Sequence, residues 1–181
     1  MTNEEAWYTQ IYTTYVNDLF SYGRAFGFND EELMDAIHDV FLHIMDTSIS
    51  KSKKEHLKFY LLCSLKNRLI SMKRRPIIYE SIEEINEYTF SLQVTELDLL
   101  EEKEEKEHIK KLIEEMLQTL TDRQREAIYL RFMQELEYEQ VAELLGMTPK
   151  GVRKLIYRAI NHIRDTYGPT TLFFFLYLHF F

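Results

Sequence analysis

The residues best equipped for chemistry cluster near one end of the chain: Lys150, Arg153, Lys154, Tyr157 and Arg158. They supply cations and hydrogen-bond donors rather than a nucleophile or a proton shuttle. No acidic residue interrupts the run from Gly146 through Arg164. Cations at a helix start are unusual, because the macrodipole there favours anions. They make sense when the partner is itself a polyanion. Arginine can present two donors to a guanine edge, and lysine can hold a phosphate. The chemistry implied is duplex DNA recognition.

The elements that position these groups can be read from the residues just before them. Val141, Ala142, Leu144 and Leu145 close a short helix, and Gly146 follows as the residue that accepts a left-handed backbone at a helix C-terminus. Thr148 suits the N-cap of the next helix and Pro149 its first position. That helix is expected over Pro149 to Asp165, with Val152, Leu155, Ile156, Ala159, Ile160 and Ile163 recurring as its buried face. A stop and restart this tight defines a helix-turn-helix. A solvated basic face on a packed helix is the plainer account of the cations; the turn before them favours DNA.

A second basic cluster lies upstream. From Lys51 to Arg75 there are nine Lys or Arg and a single acid, Glu55, with Phe59, Tyr60 and Asn67 interleaved. Aromatics beside cations suit single-stranded nucleic acid, where an unstacked base lies on a ring while a cation holds its phosphate. The same aromatics also fit a helix core, and Asn67 an ordinary polar surface.

Three helices are expected in this half. Thr2 to Phe28 carries Ile11, Tyr15, Leu19, Tyr22 and Phe26 at helical spacing and is broken by Gly27. Asn29 and Glu32 then form a capping box for a helix with Leu33, Ile37, Val40, Phe41 and Ile44 inward, and Asp35, His38, Asp39 and His43 largely elsewhere. The third spans Lys54 to Lys73, with Leu57, Tyr60, Leu61, Leu65 and Leu69 inward, and Pro76 ends it.

The segment 120–165 resembles region 4 of bacterial sigma factors. The resemblance rests on Leu120-Thr121, Arg123-Gln124-Arg125, Leu130-Arg131, Tyr138-Glu139, Val141 through Gly146, Val152 and Tyr157-Arg158-Ala159. Glu135 and Glu137 stand where that family usually has glycine and serine, which bears on the geometry and capping of the turn before the second helix. Asp35 through Phe41 resembles region 2.2, with His38 in place of the usual glutamine. Phe59 through Ile70, continuing to Arg74-Arg75, resembles regions 2.3 and 2.4, with Tyr60 where many members carry tryptophan and Ser71 where aspartate is common. Response-regulator output domains share the helix-turn-helix, but the alternating strands and acidic pocket of a receiver domain are not seen in this N-terminal half.

At 181 residues and net charge −8, the chain accommodates two small domains. Pro76 to about Glu107 reads as the join; Glu80 to Glu107 holds eleven acids against Lys103 and Lys106. The net charge averages this acidic stretch and an acidic N-terminus with two basic patches, so it does not argue against DNA. Acidic surroundings also disfavour indiscriminate DNA binding. Cys63, the single cysteine, rules out an intrachain disulfide and is expected to be a small buried residue. The histidines show no metal-ligand spacing, and no phosphate loop, nucleophile–base pair or apolar signal core is evident. The apolar run that follows Gly168-Pro169 is about ten residues, or roughly 15 Å as a helix, half of a membrane core. Packing on its own domain, binding an anti-sigma partner, touching a membrane surface and having no selected role all remain open for it.

The expected fold is all-α: a region 2-like bundle over 1–75, an acidic linker over 76–107, a region 4-like helix-turn-helix over 108–167 and an apolar tail over 168–181. The resemblance implies a sigma factor of the extracytoplasmic-function type. Such a protein is cytoplasmic, is not an enzyme, and has no cofactor, metal or small-molecule substrate. Its partners would be core RNA polymerase, promoter DNA and an anti-sigma factor. Polymerase docking would fall on Asp35, His38 and Asp39. Contacts to the melted −10 strand would fall on Tyr60, Lys66, Asn67, Arg68, Arg74 and Arg75, and contacts to the −35 duplex on Lys150, Arg153, Lys154, Tyr157 and Arg158. The rival is a stand-alone helix-turn-helix regulator on a duplex operator; a membrane-associated interaction protein would rest on the tail alone.

Overall fold

The computed structural model describes residues 3–46, 56–73, 89–92 and 103–168, and among these the regular elements are all helical. The chain divides into two compact units, 1–89 and 90–181.

The first unit contains α1 (Asn3–Arg24), α2 (Asp30–Asp46) and α3 (Leu57–Lys73), each in contact with the other two. Its core is built from Ile11, Leu19, Tyr22 and Phe26 of α1, Leu33, Ile37, Val40, Phe41 and Ile44 of α2, and Leu57, Leu61, Leu62, Leu65 and Leu69 of α3. Tyr15, Tyr60 and Cys63, expected inward, are only half-buried. Gly23 lets α1 and α2 approach closely, since any Cβ there would collide with the fully buried Leu33. The α2 start follows the expected capping box: Asn29 Oδ1 accepts the Glu32 N–H at 2.9 Å, and Glu32 Oε2 accepts the Asn29 N–H at 3.3 Å. Lys73 Nζ, at the end of α3, donates to the Phe26 carbonyl at 2.7 Å. Its partial burial pulls the ammonium below the ordinary lysine range.

The second unit contains α4 (Lys103–Gln118), α5 (Asp122–Ile128), a π-helical turn (Tyr129–Met133), α6 (Tyr138–Leu145) and α7 (Pro149–Tyr167). Ile113, Met116, Leu117 and Leu120 pack with Ile128 of α5 and with Ala159 and Ile163 of α7. Thr121 caps α5 in a second capping box, its hydroxyl accepting from the Gln124 N–H at 3.3 Å while Gln124 Oε1 accepts the Thr121 N–H at 3.0 Å. Of the expected inward residues of α7, Val152, Ile156, Ala159 and Ile163 are buried, and Leu155 and Ile160 are half-buried.

Part of the segment read as linker belongs to this second core. Phe90 is fully buried, its ring 5.9 Å from that of Tyr129, and Leu92 packs against the cluster around Met116. The Phe90 N–H donates to Asp122 Oδ1 at 3.0 Å, and its carbonyl accepts from Arg125 Nε at 2.7 Å. The same guanidinium donates to the Leu117 and Leu120 carbonyls at 3.0 and 2.6 Å and pairs with Asp122. Arg125 thereby ties the Phe90 segment to the carbonyls of the turn that follows α4, where the Leu117 carbonyl also accepts the Leu120 N–H at 3.1 Å. Arg74, Arg75, most of the acidic run and the tail from 169 onward lie outside the described residues.

Candidate nucleic-acid interface

The turn between α6 and α7 is made as its residues require. Gly146 sits at φ 62°, ψ 40°, in the left-handed region. Its N–H bonds to the Glu143 carbonyl at 3.2 Å, and the Met147 N–H to the Ala142 carbonyl at 2.8 Å, the paired bonds of a Schellman ending. Thr148 then opens α7, its hydroxyl accepting from the Gly151 N–H at 3.1 Å, with Pro149 at the first position. Lys150, Arg153, Lys154, Tyr157 and Arg158 are all exposed, Tyr157 by 66% despite its size. An aromatic ring left this open on a cationic helix is suited to contact with a ligand.

One feature upstream of α6 had no counterpart in the sequence. The helix before the turn closes with π geometry: the Gln134 N–H reaches back to the Tyr129 carbonyl at 3.0 Å, and the Leu136 N–H to the Leu130 carbonyl at 3.1 Å. Glu135 adopts φ 57°, the left-handed conformation that a glycine takes without cost. At Glu137, the N-cap of α6, Gln140 Oε1 accepts the backbone N–H at 2.9 Å. Both departures from the family pattern are thus accommodated, the first with strain and the second with a partner three residues on.

Arg153 is held from outside its own helix. Its Nη2 donates to Glu139 Oε1 at 3.1 Å, and its guanidinium carbon lies 4.8 Å from the centroid of the Tyr138 ring. Arg131 lies over the same ring at 5.0 Å, while its Nη1 donates to the Leu136 carbonyl. The start of α6 therefore forms a shelf beneath one of the principal cations of α7.

In the first unit, Asp35, His38 and Asp39 are exposed on α2, on a helix that also exposes Leu42 by 58% and Met45 by 47%. His38 Nε2 lies 3.2 Å from the Tyr12 hydroxyl, the two rings stacked at 20°. Asp39 is joined to α3 by Arg68, with Nη2 2.6 Å from Oδ2. Residues expected to face polymerase and melted DNA are thus brought into contact. Asn67 is exposed and Tyr60 half-buried.

Lys66 departs from expectation. It is 6% exposed, because it shares the inward stripe of α3 with Leu62, Leu65 and Leu69. Among the described residues there is no cluster of His, Cys, Asp and Glu able to hold a metal, and no helix long and apolar enough to cross a membrane.

The second of the two helical units ends in a helix-turn-helix whose second helix exposes a cationic face, an arrangement suited to a polyanionic partner. The family model for sigma-70, region 4, matches residues 110–163. Comparison with curated proteins finds no match. Among solved structures, the fold is similar to the sigma factor RpoE of Bartonella quintana, solved in complex with the anti-sigma factor NepR. That likeness has a TM-score of 0.55 at 21% identity and covers 87% of this chain and 94% of the other.

Proposed function

We propose that the chain is a sigma factor of the extracytoplasmic-function type, which gives core RNA polymerase its promoter specificity in the cytoplasm and leaves the chemistry to the polymerase. The observation that carries this reading is the exposed cationic face of α7, seated behind the Gly146–Thr148–Pro149 turn inside a sigma-70 region 4 segment. A separate three-helix unit with its own polar faces supports a second grip.

In this account α7 enters the major groove of the −35 element. Arg153 and Lys154 read base edges, Arg158 holds phosphate, and Lys150 and Tyr157 border the contact. The first unit takes the −10 element as melted strand, with Tyr60, Asn67, Arg68, Arg74 and Arg75 as contacts. Capturing an unpaired base offsets part of an unstacking cost of a few kcal/mol. Asp35, His38 and Asp39 dock on the polymerase. An anti-sigma factor, the kind of partner seen with the Bartonella protein, would act by covering one of these faces.

Co-elution with purified core polymerase tests the reading. A stable complex that protects a −35 and −10 promoter fragment is expected. A chain that binds a duplex operator as a dimer and ignores core polymerase would instead be a stand-alone regulator.

A further inference from the structure

We propose that Glu139 and Tyr138, both outside the recognition helix, are positioning residues that set which base Arg153 selects. The proposal rests on the reading of α7 as the −35 reader. An arginine near the exposed start of a helix has many rotamers and can reach several bases and phosphates. Here its guanidinium is confined on one side by the Tyr138 ring at 4.8 Å and on an edge by the Glu139 carboxylate at 3.1 Å. Glu139 occupies an Nη2 donor, which leaves the remaining donors of the fork for a partner in the groove.

The pair is open to solvent, with 53% of the Arg153 side chain and 64% of the Glu139 side chain exposed. Exposed ion pairs contribute little to folding, so stability alone gives little reason for it. An acid beside a DNA-binding face also costs affinity, because it repels phosphate. What it supplies is direction: one guanidinium orientation, aimed by two groups whose own backbone is fixed at the start of α6. Orientation converts a cation that any phosphate would satisfy into a donor pair matched to a guanine edge.

The test uses the full chain bound to core polymerase and a promoter library randomised across the −35 element. Arg153→Ala is expected to flatten the preference at one base pair. Glu139→Ala should weaken preference at that same base pair by about ten-fold, within the range a lost bidentate contact allows, while affinity averaged over all sequences is unchanged or higher. Glu139→Gln retains a side-chain oxygen and should keep most of the preference, and Tyr138→Leu should lose part of it. If Glu139→Ala leaves that base pair as selective as before, or lowers binding equally on every sequence, the positioning role is overturned while the −35 reading stands. If Arg153→Ala changes no position, the assignment of Arg153 as a base reader fails, and the positioning role fails with it.

Discussion

Arg125 donates from Nε to the carbonyl of Phe90, 35 residues earlier in the chain, at 2.7 Å. The contact fastens a short piece of the inter-domain segment to the second unit, with the Phe90 ring fully buried beside Tyr129. Phe90→Ala should destabilise the second unit by about 3–5 kcal/mol, as expected for a large aromatic lost from a core. Hydrogen exchange of the full chain checks this site by site: protection should fall in α4 to α7 and persist in α1 to α3. Equal loss in both units would contradict it.

Glu135 holds a left-handed backbone at φ 57°. A non-glycine residue there is strained by about 1–2 kcal/mol, part of which glycine gives back through its greater unfolded entropy. Glu135→Gly should therefore stabilise the second unit by a net of up to about 1 kcal/mol, read as a higher denaturant midpoint at unchanged slope, and Glu135→Ala should not. Identical effects of the two substitutions would show that backbone strain is not the cause.

Local chemistry made much of the fold legible. Asn29 with Glu32, and Gly146 with Thr148 and Pro149, act within one helical turn, and all formed the caps and turn that their types require. What escaped the sequence depends on distance or on small rotations. Phe90 lies in a stretch without period, and only contacts far along the chain, with Asp122, Arg125 and Tyr129, assign it to a core. Lys66 falls on the inward stripe of α3 because Leu62 and Leu69 flank it at helical spacing, an orientation that a cation's type does not advertise. The π turn at Tyr129–Met133 leaves no mark that residue type reveals.

Asp39 and Arg68 join α2 to α3 through a 2.6 Å ion pair whose members are half-exposed. Because such pairs contribute about 1 kcal/mol or less, Asp39→Ala and Arg68→Ala should leave the unfolding midpoint nearly unchanged. In promoter opening by the polymerase complex their effects should be non-additive, since each substitution frees the other's partner. Strict additivity would place the two residues on independent surfaces.

Arg158 and Arg153 should separate by salt dependence. Arg158→Ala is expected to weaken binding evenly across −35 sequences and to reduce the slope of log affinity against log salt by about one. Arg153→Ala should change the preferred sequence, by about 1–3 kcal/mol at one base pair. Reversed behaviour would exchange the two roles.

The central claim, that the two units together open a promoter with polymerase, is tested most directly by run-off transcription. Purified core polymerase, this chain and a library of candidate promoters should yield transcripts from a defined start point. Those transcripts should be lost when the exposed cations of α7 are replaced, while the chain still co-elutes with polymerase. Absence of binding to core polymerase, with duplex binding intact, would contradict the account.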